Sequence, residues 1–147
     1  MKSRINFSTA SPGAVNACNA RPYFEHCAIE PRLRYLVELR VSQINGCVYC
    51  IDMHSEEARL AGEKQQRLDC LPAWREAPFF SERERAALGW AESVTHVAQT
   101  GVPDEVYEAT QPHFSEKELV DLTFIVASMN LWNRVAISFR TRPAERR

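Results

Sequence analysis

The sequence lacks any large charge of one sign. Its 18 basic and 19 acidic side chains leave a formal charge of −1, so there is no basic field to concentrate nucleic acid or anionic lipid. No apolar run approaches the roughly 20 residues of a spanning helix, and Met1-Lys2-Ser3-Arg4 is followed by no stretch of signal-peptide length. Membrane partners are therefore not expected, and the cytoplasm is the expected compartment. The five glycines form no phosphate-binding loop. Neither a repeat nor a low-complexity segment is present. A second C-x-x-C and an H-x-x-x-H are also missing, so one chain offers no obvious four-ligand zinc set.

What is present suits one folded domain spanning 1–147, with an N-terminal lead over 1–10 and a tail over 140–147. At 45 % hydrophobic and 25 % charged residues the composition is that of a globular protein, and 147 residues can bury a sizeable core without staples. The tail arginines Arg140, Arg142, Arg146 and Arg147 are interrupted by Glu145 and read as a solvated end. Five cysteines without an export signal read as thiols rather than as a disulfide framework.

Helical punctuation runs along the whole chain. Ser11-Pro12 opens a first helix reaching about His26, with Pro22 a possible break. Pro31 opens a second, with Leu33, Leu36, Val37, Val41 and Ile44 at helical spacing and Asn45-Gly46 as its stop. A third spans Cys47 to Gly62, and a short one spans about Gln65 to Trp74. Ser81-Glu82-Arg83-Glu84 has the form of a capping box ahead of a helix to Gly101. Pro103 starts a short helix, and Ser115-Glu116-Lys117-Glu118 repeats the box before a last, well-buried helix. Val, Ile and Phe near 122–127 offer a strand as the local alternative. The reading is all-α, a single-domain bundle of six to seven helices.

Cys47, Cys50 and His54 stand at i, i+3 and i+7, within about 60° of one another on a 3.6-residue helix. The stripe continues to Ala58 and Ala61, while Asp52, Glu56, Arg59 and Glu63 fall on the other side, so the thiols face the interior or a cleft. Asn45-Gly46 just ahead puts both cysteines at a helix N-terminus, where free N–H groups and the helix dipole favour thiolate. His54, four residues beyond Cys50, can take its proton or stabilise its charge. That makes Cys50 the candidate attacking thiol and Cys47 its partner. Two bland alternatives stand beside the redox dithiol: a metal site, and two small core residues.

The same residues carry a family resemblance. The stretch from Leu36 through Cys47-Val-Tyr-Cys50-Ile-Asp-Met-His54 to Ala58 resembles the core of the alkylhydroperoxidase D-like branch of the carboxymuconolactone decarboxylase family. A weaker likeness runs through Trp74 to Pro78, Ser81 to Thr95 and Asn130 to Arg134. The resemblance implies an all-helical fold assembled as a trimer or hexamer, and reduction of a small peroxide by the dithiol. The second cysteine would attack and the first resolve, with an external dithiol or protein as reductant and no bound cofactor or metal. In the best-known members a glutamate twelve residues before the first cysteine and a histidine just before the second complete a proton relay. Tyr35 and Tyr49 hold those places here.

Glu92, in Trp90-Ala-Glu-Ser, and Glu38, one turn from Tyr35, are the candidate replacements; Glu92 ranks slightly ahead, against the plainer reading of a solvated glutamate. Cys18, Cys27 and Cys70 read as small buried hydrophobes, and His26, His96 and His113 as surface or satisfied polar residues. Trp132 and Asn133 read as core rather than cleft lining. Two other function classes stay open. One is a decarboxylase using His54 as acid or base, and the other is a redox-sensing oligomer without turnover. Because an i,i+3 pair at a first helical turn can approach the roughly 5.5–6 Å Cα separation of a disulfide, mild oxidation is expected to join Cys47 to Cys50. Peptide mapping checks this, and linkage of Cys18, Cys27 or Cys70 instead would remove the redox assignment.

Overall fold

Capping and proline chemistry divide the chain into helices α1 (Phe7–Ala10), α2 (Pro12–Cys18), α3 (Arg21–Phe24), α4 (Pro31–Asn45), α5 (Val48–Leu60), α6 (Gln65–Asp69), α7 (Glu82–Thr95), α8 (Val97–Thr100), α9 (Asp104–Thr110) and α10 (Glu116–Phe139). This is a computed structural model, and it describes residues 2–145. Arg146 and Arg147 of the expected tail lie outside the described residues. Short 3-10 turns cover Leu71–Ala73 and Gln111–His113. Among the described residues there is no strand, and no helix is long and apolar enough to cross a membrane.

Both capping boxes form. Ser81 Oγ accepts from the Glu84 amide while the Glu84 carboxylate accepts from the Ser81 amide at 2.7 Å, and Ser115 and Glu118 repeat the exchange. The alternative strand at 122–127 is overruled by tertiary packing. Leu122, Ile125, Val126 and Met129 are buried at helical spacing along α10, whereas Phe124 is exposed.

The expected six to seven helices become more numerous, because three segments divide and the lead adds one. The segment over 11–26 splits into α2 and α3: a helix running through Pro22 would lose an amide donor and clash with the Cys18 carbonyl, so Pro22 sits in the first turn of a new helix. Pro72 likewise ends α6 at Asp69 and leaves a 3-10 turn. The segment over 81–101 breaks at His96, after which Thr100 Oγ1 folds back to donate to the Ser93 carbonyl at 2.8 Å. The N-terminal lead is also structured. Arg4 donates its amide to the Phe139 carbonyl at 3.0 Å, and Phe7 packs on Trp132 and Phe139.

Helix α4 is the axis of the bundle and is buried on two sides. Leu33, Val37 and Val41 join α7 and α10 in one core, with Cys47, Cys50, Leu122, Ile125 and Val126. Leu36 and Leu39 face a second core with Ala58, Leu71, Trp74, Phe80 and Leu88. Glu63, expected on the outer side, is buried because Arg67 Nε reaches it at 2.8 Å.

One polar network crosses the first core. Asn133 is fully buried; its Oδ1 accepts from Asn45 Nδ2 at 2.9 Å and its Nδ2 donates to Ser42 Oγ at 3.1 Å. Asn45 Nδ2 also donates to Asn130 Oδ1 at 3.0 Å. Asn133 is thus core, as expected, and ties α10 to the end of α4 just ahead of the cysteines. Asn133→Ala should destabilise the fold by about 2–3 kcal/mol, since it removes two buried hydrogen bonds, leaves Ser42 and Asn45 one partner short each, and opens a small cavity. A denaturant midpoint shift worth less than about 0.5 kcal/mol would show that water or relaxation replaces the network.

Candidate active site

Gly46 ends α4 with a left-handed backbone, φ 71°, a conformation that a side chain disfavours. The chain then reverses within one residue. Cys47 is extended and serves as N-cap of α5, its sulfur accepting from the Cys50 amide at 3.3 Å. Cys50 therefore lies in the first turn of α5, where the sequence placed it. The two cysteines are joined as a disulfide with Cα atoms 5.3 Å apart, and each is 2 % exposed. The remaining cysteines are free. Cys18 is exposed and Cys27 and Cys70 are only partly buried, so none of the three is the small buried hydrophobe expected.

Cys50 and His54 line one cavity of about 320 Å³, whose lining does not include Cys47. Tyr49, Met53, Ile125, Met129 and Trp132 contribute to walls that are mostly apolar, and Phe7, Ser8, Val15 and Asn19 close the outer side. Trp132, read from sequence as core, thus faces the cleft as well. Of the two tyrosines at the relay positions, Tyr49 lines the cavity, whereas Tyr35 packs with the second core.

His54 is 5 % exposed and gripped from one side only. Its Nδ1 lies 2.9 Å from Glu57 Oε2 and 3.3 Å from Glu38 Oε2, while its Nε2 is buried without a hydrogen-bond partner. A neutral imidazole that donates from Nδ1 keeps its lone pair on Nε2. Glu57 in turn accepts from Arg21 at 2.6 Å. Burial works against the Glu57 anion, but the hydrogen bonds from His54 and Arg21 outweigh it and hold this carboxyl down at about 2. Glu38 goes the other way: burial raises it, against the pull of His54 and Arg34.

The candidate ligand atoms of Glu38, His54 and Glu57 all lie within 4.8 Å of one another, a set that can hold a cation. The Arg21 guanidinium already supplies Glu57 with a countercharge at 2.6 Å.

Glu92 is not brought to the cysteines. Its carboxylate receives Trp74 Nε1 at 2.8 Å, Arg40 at 2.9 Å and Arg75 at 2.5 Å, and neither it nor these partners line the cavity. Its ranking ahead of Glu38 is corrected for that reason: a carboxylate ringed by three donors anchors Trp74 and α4 and has no free reach. Glu57 escaped the sequence reading, although its place three residues after His54 on one helix was the available signal. His26 and His96 are exposed, as expected.

Comparison with known proteins follows these features. Residues 13–93 match the profile of the carboxymuconolactone decarboxylase family. The chain is 39 % identical over 147 residues to the uncharacterized protein YdfG of Bacillus subtilis strain 168, covering 99 % of this chain and 100 % of that protein. It superposes with TM-score 0.94 and 43 % identity on a protein of unknown function from Agrobacterium tumefaciens, proposed to be the antioxidant defence protein AhpD, with 98 % of this chain and 100 % of that one covered. An uncharacterized peroxidase-related protein from Ralstonia eutropha JMP134, an alkylhydroperoxidase AhpD core, shares the fold with TM-score 0.77 and 25 % identity, over 90 % of this chain and 70 % of that one. The chain belongs to the carboxymuconolactone decarboxylase family, in its alkylhydroperoxidase D-like branch.

Proposed function

We propose that this protein is a thiol-dependent peroxidase. The observation that carries the proposal is the half-satisfied histidine: Nδ1 of His54 is anchored by Glu57 and approached by Glu38, and Nε2 is left open in a cavity shared with Cys50. In the reduced protein the Cys50 thiol passes its proton to Nε2, and the Glu57 carboxylate stabilises the imidazolium while Glu38 lies 3.3 Å from the same Nδ1. The thiolate attacks one peroxide oxygen and the O–O bond breaks. The leaving alkoxide takes the proton from His54, and Cys50 becomes a sulfenic acid. Cys47 then attacks that sulfur, water leaves and the disulfide forms; an external dithiol returns two electrons and two protons. No bound cofactor is needed.

Glu38 takes the relay place that Glu92 was expected to hold. The role of Cys50 as attacker is supported by its place in the cavity lining, which does not include Cys47. A homo-oligomer is proposed with this activity, in line with the resemblance.

The central test is consumption of tert-butyl hydroperoxide with dithiothreitol. Wild type should turn over, and Cys47→Ser and Cys50→Ser should each lose at least about 100-fold. Turnover that survives both serines would remove the dithiol mechanism, and a disulfide that forms without turnover points to a redox sensor.

The histidine is tested on variants that retain only Cys50, by following alkylation with iodoacetamide against pH. His54→Ala should move the midpoint upward by about one pH unit, because the group that stabilises thiolate is gone. Glu57→Gln should move it upward by less, and Glu92→Gln should leave it in place. Since Glu57 stays ionised down to about pH 2, its contribution should be constant through the neutral range, with no acid limb of its own above pH 4.

A further inference from the structure

The cavity contains a charge that the peroxide chemistry does not use. Arg34 stands on α4 one turn before Glu38, contributes to the cavity wall and is 4 % exposed. Its Nε is buried without a hydrogen-bond partner, and no ion pair to its guanidinium forms among the described residues. The Tyr35 ring lies 4.8 Å from its guanidinium carbon. The other arginine of the cavity, Arg21, is committed to Glu57 at 2.6 Å and Glu25 at 3.4 Å. Glu38, one turn on, feels the Arg34 charge but makes no salt bridge with it; a buried guanidinium without a bonded anion is costly, and its planar fork matches a carboxylate in two parallel hydrogen bonds.

The remaining walls describe the rest of such a ligand. Phe24, Met53, Ile125, Met129 and Trp132 are apolar, and a volume of about 320 Å³ lies at the small end of ligand pockets. That space suits one ring with a short alkyl branch. Of the two carboxylates nearby, Glu57 is already paired with Arg21, and burial raises the Glu38 carboxyl, the direction that eases the approach of an acid.

We infer that Arg34 anchors the carboxylate of a small amphipathic organic acid whose apolar body fills the cavity beside Cys50. Resting on the peroxidase reading, this names the substrate class as an organic hydroperoxide that carries a carboxylate. The binding site itself stands without that reading.

Two experiments separate the claims. The first is calorimetric titration of the full-length oxidised protein at pH 7 with 4-isopropylbenzoate and with its neutral counterpart 4-isopropylbenzamide. The benzoate should bind at least tenfold more tightly. Arg34→Met should abolish that preference, and Arg34→Lys, which keeps the charge but loses the fork, should reduce it at least threefold. Equal affinities in wild type, no binding of either probe at millimolar concentration, or a preference that survives Arg34→Met would each overturn the site. If Arg34→Met fails to fold, the wild-type preference and its reduction in Arg34→Lys decide, and an undiminished preference in Arg34→Lys overturns it.

The second compares turnover of cumene hydroperoxide and 4-carboxycumene hydroperoxide with dithiothreitol. The ratio of kcat/KM should favour the acid at least tenfold in wild type and fall toward one in Arg34→Met. A ratio near one in wild type would overturn the substrate class. If neither hydroperoxide is reduced while the benzoate preference holds, the peroxidase reading fails and the Arg34 site stands.

Discussion

The reversal at Gly46 is the constraint on which the site depends. A left-handed residue there folds α5 back along α4, so positions equally far from the turn come level with each other. Glu38 lies eight residues before Gly46 and His54 eight residues after it. At about 1.5 Å per residue both sit roughly 12 Å from the turn, and they meet at 3.3 Å. The same reversal makes Cys47 an extended N-cap and places Cys50 in the first turn of α5.

Around that hairpin the protein buries polar groups in two distinct ways. Asn133, Asn45 and Ser42 form a neutral network that holds α10 against the end of α4 and so keeps the turn in place. The cavity carries the charged set, with Glu57 paired to Arg21 and His54. Among the described residues that line it, His54 Nε2 and Arg34 Nε are the buried polar atoms left open. Buried polar atoms are satisfied as a rule; Gln43 Oε1 and Glu63 Oε2 are open as well, but His54 Nε2 and Arg34 Nε belong to residues that share a cavity with Cys50.

The N-terminal segment belongs to this arrangement. Its backbone and side chains are bonded to the end of α10, and Phe7 packs on Trp132. The outer wall of the cavity is therefore built from the part of the chain whose apolar pattern is weakest, while the reactive end is built from the part where it is strongest.

Much of the fold was legible in the sequence because its signals are local. The capping boxes at Ser81 and Ser115, the proline at the start of α4 and the glycine at its end act within one helical turn, and each stands where it was read. The register of Cys47, Cys50 and His54 is a property of one helix, so their shared burial could be deduced from spacing alone. The breaks at Ala20, Cys70 and His96 were harder, since each depends on which carbonyl finds a substitute partner.

The choice of carboxylate was beyond local reasoning. Glu38 and Glu92 are both glutamates at the margin of an apolar face, and periodicity cannot say which neighbour each meets. Packing gave Glu92 to Arg40, Trp74 and Arg75, and gave Glu38 to His54. The sequence by itself determined the helices and the dithiol face, because those follow from interactions within about four residues. Only the tertiary structure decided which charges are paired and that Arg34 is left open, because ion pairing depends on distances between helices that no single helix encodes.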